Sequence, residues 1–127
     1  MQFVMKKLTK SEEEIMAVLW RLEKAFVQDI LQEFPEPKPA YNTVSTLIRI
    51  LVDKGFVDYE QLGRSHRYYP RVQQSEYKKE YLSSMMGRFF DNSYKNLVNF
   101  FSDTDELTVS ELEELKRIIE AKMEEKK

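Results

Sequence analysis

The stretch from Tyr41 to Gly55, YNTVSTLIRILVDKG, decides the fold of this chain. It predicts a helix that ends at Lys54–Gly55, with a cation near its C-terminus and a glycine in the left-handed conformation. Its apolar residues recur at the i, i+3, i+4, i+7 spacing of a helix that buries one face; they are Val44, Leu47, Ile48 and Leu51. At about 100° per residue, the opposite face is polar; it carries Asn42, Ser45, Thr46, Arg49 and Asp53. Short hydrogen-bonding groups and one long cation can lie in the major groove of DNA, although a solvated surface helix has the same pattern.

Composition limits the partners that the chain can have. The 127 residues predict one domain, or one small domain with an appendage. A net charge of −2 excludes a globally basic nucleic-acid binder, but residues 41–72 hold five Lys/Arg against three Asp/Glu. The absence of cysteine excludes disulfides and thiolate metal sites, and it fits a cytoplasmic location.

The sequence argues against an enzyme, a cofactor or a metal site. Gly-rich phosphate loops are absent, and His66 is the single histidine, so we expect it to be a surface or backbone-contacting residue. The segment Met1–Leu8 lacks the features of a signal peptide. No apolar run reaches the length of a membrane span, so no membrane insertion is expected.

The segments around the central helix predict a winged helix-turn-helix over residues 1–74. A Thr9–Glu12 capping box opens a helix from Lys10 to Leu22, and Ala25–Phe26 is a candidate extended piece. A second helix is predicted from Val27 to Phe34, before three prolines. The runs 56–60 and 67–69 flank a turn at 63–65 and form a hairpin, the wing. The fold class is therefore mainly α with a small β-hairpin wing.

Residues 75–127 are predicted to be a helical dimerisation region, with a helix break at Asp91–Asn92 and a second capping box, Thr108–Glu111, at the start of the last helix. The predicted dimer contacts are Tyr81, Met85, Phe89, Leu97, Phe101, Leu112, Leu115 and Ile119. About fifty residues with a wide apolar surface rarely form a stable core alone. We therefore expect this region to pack on a second copy or on the N-terminal domain, and a ligand pocket among its aromatic residues is the alternative.

The chain resembles the penicillinase repressor and methicillin-resistance repressor family of bacterial antibiotic-resistance-type regulators. The similar segments are Leu8–Trp20, Asn42–Ile48, Leu51 with Lys54–Val57, Gly63–Arg64, Tyr69–Pro70, Leu97–Val98 and Leu107–Leu115. The resemblance implies a homodimeric winged-helix repressor whose third helix enters the major groove of a palindromic operator. Its partners would be double-stranded operator DNA and a second copy of the chain.

The predicted DNA contacts combine this resemblance with the helix pattern. They are Asn42, Thr43, Ser45, Thr46, Arg49, Lys54, Arg64 and Arg67. One departure concerns Ile50, because the family often has arginine at the position just before the leucine that corresponds to Leu51. Arg49 precedes it here, and a shift of one residue rotates the guanidinium by about 100° around the helix.

Three further hypotheses concern the regulation of the chain and its partner. In antibiotic-responsive members of the family, a membrane sensor metalloprotease cuts the repressor at an Asn–Phe bond. Asn99–Phe100 lies in the corresponding region of this chain, although aligning Leu97–Val98 directly places Phe100–Phe101 at the cut. The alternative is that these residues are ordinary core aromatics. A small-molecule-responsive winged helix is a second possibility. A protein-binding winged helix without DNA is the third, kept open by Asp53, Asp58 and Glu60.

Overall fold

The computed structural model describes residues 7–127. The prediction that Met1–Leu8 is not a signal peptide concerns a segment that lies mostly outside the described residues. The elements are α1 (Lys10–Leu22), α2 (Val27–Gln32), α3 (Tyr41–Asp53), β1 (Val57–Leu62), β2 (Ser65–Pro70), α4 (Gln74–Phe89), α5 (Tyr94–Asp103) and α6 (Val109–Glu125). The chain divides into two compact units; the first ends at Tyr81, and the second, the tail unit, is Leu82–Lys127. The predicted mainly helical class with one hairpin is confirmed.

The first helix has the predicted bounds because its capping box forms. The Thr9 amide donates to Glu12 Oε1 at 2.8 Å, and the Glu12 amide donates to Thr9 Oγ1 at 3.2 Å. Two orphan amides at the helix N-terminus are thereby satisfied. The apolar stripe of α1 is buried; it comprises Ile15, Met16, Val18 and Leu19.

Helix α2 is two residues shorter than predicted. It ends at Gln32, and the Phe34 amide instead donates to the Leu31 carbonyl at 3.2 Å in a tighter turn. The residue before a proline avoids the helical region, and Pro35 follows directly. The apolar spacing continues to Phe34, but the helical backbone ends two residues earlier.

Helix α3 ends at the predicted glycine. Lys54 is the C-cap, and Gly55 has φ +85°, a left-handed conformation that glycine adopts without a Cβ penalty. The Phe56 amide donates to the Leu51 carbonyl at 3.0 Å, which satisfies one of the last helix carbonyls and turns the chain into β1.

The wing is a two-stranded antiparallel hairpin with register from Val57↔Pro70 to Leu62↔Ser65. Its strands are longer than predicted, and its turn is shorter because Ser65 pairs within β2. Ala25 adds the expected extended piece: its amide donates to the Tyr68 carbonyl at 2.9 Å, and the Tyr68 amide donates back at 2.8 Å.

One core joins α1, α2, α3 and the hairpin. Its fully buried members include Ile15, Met16, Leu19, Ile30, Val44, Ile48, Leu51, Phe56 and Val57. The first turn of α4 belongs to the same unit, because the Tyr77 ring lies 5.8 Å from that of Trp20 and 5.9 Å from that of Phe56. The Tyr77 hydroxyl donates to Glu13. The first compact unit thus extends beyond residue 74.

The tail unit is helical and buries little. Asp91 and Asn92 have φ of +51° and +58° after α4, where the sequence predicted a break. A second capping box, Thr108 with Glu111, opens α6 as predicted, and its hydrogen bonds hold the pKa of Glu111 below its usual value. Within residues 82–127, Met86 is the only buried hydrophobic side chain.

Candidate nucleic-acid interface

Helix α3 presents a polar face to solvent, and we call its exposed members the recognition face. They are Asn42, Thr43, Thr46, Arg49 and, in the last turn, Asp53. Ser45 beside them is half-buried, whereas Val44, Ile48 and Leu51 on the inner side are fully buried. The core contacts of α3 fix its rotation, so the predicted outward set does face outward, except that Ser45 is partly covered.

Arg49 leans back along α3 toward the wing. Its Nη2 lies 3.3 Å from Ser45 Oγ, one helical turn earlier. Burial raises the pKa of Tyr68 on β2, and the nearby positive charge of Arg49 opposes part of that rise. Ser45, which holds the guanidinium, also lines the groove beside the wing.

A groove of about 500 Å³ lies between the start of α2, the start of α3 and the wing. Its lining residues are Phe26, Val27, Gln28, Asp29, Tyr41, Ser45, Arg64, Ser65, His66 and Tyr68. The only carboxylate among them, that of Asp29, already accepts the Phe26 amide at 2.9 Å. Arg64 contributes the guanidinium of the groove, from the two-residue turn of the wing.

The wing carries an aromatic cluster on the side that lines this groove. Tyr59 and His66 stack with ring centroids 4.2 Å apart and an interplanar angle of 14°. Tyr68 lies 5.7 Å from Tyr59 and 6.1 Å from His66. Strand alternation places these three rings on one face of the hairpin.

Arg67 lies on the other face of the wing. Its Nε donates to Glu60 Oε1 at 2.7 Å, directly across the ladder, and Lys24 Nζ lies 3.6 Å from the same oxygen. The Arg67 hydrogen bond lowers the pKa of Glu60. The structure therefore separates Arg67 from Arg64, although the two are three residues apart.

Lys54 forms an ion pair inside the protein. Its Nζ donates to Glu12 Oε1 at 2.7 Å, to Glu12 Oε2 at 3.1 Å and to the Lys7 carbonyl at 3.1 Å. Glu12 is the one buried charged residue among those described, with 2% exposure. The predicted contact of Lys54 with a phosphate would therefore compete with this ion pair inside the protein.

Sequence reasoning missed most of the groove. Tyr41, Gln28 and Tyr68 were not singled out, and His66 was expected only to be a surface or backbone-contacting residue. His66 instead stacks on Tyr59 at the groove edge. The alternation of His66 and Tyr68 along β2 was the available signal, but the strand had been predicted to start one residue after His66.

The predicted dimerisation residues are mostly exposed in this single chain. Tyr81, Phe89, Phe101, Leu112, Leu115 and Ile119 are exposed, and Met85 and Leu97 are partly buried. Asn99 and Phe100 lie inside α5, and both are exposed. These positions form exposed apolar surface on the helices.

Metal-binding clusters and membrane-spanning helices are both absent between Lys7 and Lys127. No three His, Asp or Glu side chains in that range are grouped closely enough to hold a metal ion. In the same range, no helix combines the length and the apolar character that a membrane crossing needs.

Comparison with known proteins identifies relatives across the chain. The sequence model of the penicillinase repressor family matches residues 8–121. The methicillin resistance regulatory protein MecI of Staphylococcus aureus (strain N315) is 27% identical over 117 residues, which cover 91% of this chain and 95% of the relative. The penicillinase repressor of Bacillus licheniformis is 27% identical over 122 residues, 95% of each chain.

A solved structure supports the fold independently. The solution structure of the DNA binding domain of the repressor BlaI has a TM-score of 0.51 and 22% identity, covering 60% of this chain and 94% of that domain. At this identity the likeness shows the winged-helix fold alone. The family model, which matches residues 8–121, shows that the chain belongs to the penicillinase repressor family.

Proposed function

We propose that the chain is a homodimeric, sequence-specific DNA-binding transcriptional repressor that occludes a palindromic operator. The recognition face of α3 carries this proposal, because it is polar and exposed and because Ser45 beside it lines the groove that holds Arg64. A helix with such a face fits the major groove, while an adjacent wing contacts the backbone. Membership of a repressor family points the same way.

The recognition face has the chemistry for reading base edges. An Asn side chain can form two hydrogen bonds with adenine, and an Arg guanidinium can form two with guanine. Asn42 and Arg49 lie seven residues apart, about two turns, so they reach different base pairs of one half-site. Thr43 and Thr46 lie between them along the helix, and Ser45 positions the Arg49 guanidinium.

We assign the phosphate contacts more narrowly than the sequence did. Arg64 lies in the exposed turn of the wing and lines the groove. Lys54 is bound to Glu12, and Arg67 is bound to Glu60 on the opposite face of the wing, so we leave both out of the DNA-facing set.

The acidic residues that favoured a protein-binding winged helix lie away from the groove. Asp58 and Glu60 alternate to the face of β1 that carries Arg67. Asp58 Oδ1 accepts the Tyr59 amide at 2.8 Å. Asp53 is exposed in the last turn of α3, four residues after Arg49 and on the same side of the helix. The positions of Asp58 and Glu60 therefore favour DNA over a protein partner at the groove, whereas Asp53 gives the exposed face of α3 one negative charge.

Dimerisation through the tail unit follows from its exposed apolar surface. Phe89 is 70% exposed and Ile119 55%, and the unit buries only Met86. Apolar surface of this extent is stabilised when a second copy covers it. A two-fold dimer would place two α3 helices on two half-sites, and one small module alone buries too little surface for tight binding.

The test is salt-dependent binding of the full-length chain to its own upstream DNA, measured by fluorescence anisotropy. Each lost phosphate contact lowers the slope of log K against log[salt] by about 0.9. A dimer carries Arg64 twice, so Arg64→Ala should reduce the slope by about 1.8. Arg67→Ala, a matched change on the same hairpin, should leave the slope unchanged.

Two results would contradict the proposal. An affinity that hardly differs between low and physiological salt would exclude phosphate-based binding of duplex DNA. Equal slope changes for Arg64→Ala and Arg67→Ala would show that the groove side of the wing has no special role.

Release by proteolysis is a further part of the proposal. A cut at Asn99–Phe100 would separate α6 from the DNA-binding unit and lower the effective concentration of the second half-site reader. Because this bond is helical, α5 must unfold locally before a membrane sensor metalloprotease can cut it. Mass spectrometry of cells that carry such a protease should find a fragment ending at Asn99, and none from Asn99→Ala/Phe100→Ala. An intact wild-type chain after induction would exclude this route.

A further inference from the structure

Ile50 is an aliphatic side chain on the outer side of α3. It is 36% exposed, whereas its neighbours Ile48 and Leu51 are fully buried. In the first compact unit as described, Leu62 on the wing is the only other large aliphatic side chain that is exposed. Single exposed apolar residues are common, so its position on the helix must decide its role.

Ile50 continues a line that begins with two exposed threonines. Thr43, Thr46 and Ile50 are separated by three and four residues, the spacing of neighbours on one helix face. The line spans seven residues, about 10.5 Å along α3. Each of the three side chains ends in a methyl group, so this edge of the recognition face offers methyl groups beside the amide of Asn42 and the guanidinium of Arg49.

The major groove contains one group that pairs with such an edge. Thymine is the base with a C5 methyl group there, and apolar side chains distinguish it by direct contact. Successive base pairs are about 3.4 Å apart, so a 10.5 Å line crosses about three of them. Ile50 has no hydrogen-bonding group, so guanine O6 or adenine N6 facing it would lose a partner.

We infer that Ile50 is a specificity-determining residue that contacts the C5 methyl group of a thymine in each half-site. This inference rests on the proposed function, because it requires α3 to lie in the major groove. Thr43 and Thr46 extend the methyl-bearing edge toward the start of the helix. Arg49, one residue away, points toward Ser45 and leaves the base opposite Ile50 to the aliphatic side chain.

The experiment removes the methyl group from the DNA. Duplexes of 30 base pairs are selected from a random library with the full-length chain, and each thymine of the recovered site is then replaced by deoxyuracil, which differs only by that methyl. We expect one thymine per half-site at which the replacement weakens wild-type binding about fourfold. Ile50→Ala should bind the thymine duplex more weakly and should show no further loss with deoxyuracil.

Three variants serve as controls. Leu62→Ala removes the same kind of exposed side chain outside α3 and should keep the fourfold deoxyuracil effect. Ile50→Val retains branched methyl groups and should keep most of the effect, because the effect follows the methyl groups at this position. Ile50→Arg should select a G·C pair at this position of the site.

The outcomes separate this inference from the proposed function. A site whose thymines all tolerate deoxyuracil, or a full deoxyuracil effect that persists in Ile50→Ala, overturns the role of Ile50 and leaves DNA binding standing. If the wild-type chain enriches no duplex at all, the proposed function fails and this inference fails with it.

Discussion

At the scale of single residues, the pair Glu12–Lys54 is a contact that the sequence pattern did not predict. Lys54 follows the last turn of α3, and a cation there is usual at a helix C-terminus. Its ammonium instead reaches Glu12 in the capping box of α1, 42 residues away in sequence. Because Glu12 is buried, this ion pair ties the start of α1 to the end of α3.

Replacing Lys54 should therefore affect stability more than DNA binding. Lys54→Met leaves the Glu12 carboxylate buried with only the Thr9 bonds, and breaking a buried ion pair in this way costs about 3 kcal/mol. Urea denaturation should show that loss in the free energy of unfolding. The salt slope of DNA binding, measured where the variant is folded, should equal that of the wild type; a slope lower by about 1.8 would return Lys54 to the DNA-facing set.

Glu12 also predicts how stability depends on pH. Burial alone would raise the pKa of Glu12, but the hydrogen bonds from Lys54 and the Thr9 amide outweigh it, so the pKa in the folded chain lies below 4.5. A carboxyl group with a lowered folded pKa stabilises the protein above its unfolded pKa, and that contribution is lost as the pH falls through the folded value.

The comparison of wild type with Glu12→Gln isolates this effect from the other carboxylates. The difference in the free energy of unfolding should be constant from pH 7 to about pH 5 and should shrink as the pH falls below about 4.5. Urea denaturation at each pH measures it. A difference that grows toward acid would contradict the assigned direction of the pKa shift.

At the scale of elements, the ends of helices and strands depend on a few backbone positions. Gly55 has φ +85°, and no atom lies within 4 Å of the place that its Cβ would occupy. The sequence predicted the left-handed conformation of this glycine from its position after a helical pattern, and the structure confirms that conformation. Replacing Gly55 therefore lowers stability through the strained φ angle of the new residue and not through a steric clash of its side chain.

Two glycines should respond oppositely to alanine. Gly55→Ala should lower the free energy of unfolding by about 1 kcal/mol, because alanine is strained at positive φ. Gly87 lies within α4 with φ outside the positive range, and its new Cβ would meet only the exposed Asn92 side chain, at 3.3 Å. Gly87→Ala should raise stability by about 0.5 kcal/mol. Thermal unfolding of both variants checks this, and equal signs would contradict the explanation.

At the scale of the whole molecule, the tail unit should be the part that pairs two chains. We expect Ile119→Asp to convert the dimer to a monomer and to weaken operator binding, because a charge would enter an apolar interface. Arg117→Asp, on the opposite side of α6, introduces the same carboxylate outside the apolar stripe, with a larger change in net charge, and should leave the dimer intact. Sedimentation equilibrium of the full chain measures the outcome, and an Ile119→Asp dimer of unchanged affinity would place the interface elsewhere.

The sequence by itself determined the class, the order of elements and the outward set on α3. Periodicity, capping boxes and glycine or proline stops act over a few residues, so they can be read directly, as at Thr9–Glu12, Gly55 and Thr108–Glu111. Its errors of boundary were small and local, as at the end of α2.

Only the tertiary structure decided which charged groups are available to a ligand. Lys54 and Arg64 look alike in sequence, but one lies beside a buried glutamate and the other in an open turn. Likewise, strand register placed Arg67 against Glu60 and brought His66 onto Tyr59. These partners lie seven to 42 residues apart in the chain. Long-range contacts depend on how the elements pack, and no local pattern encodes that packing.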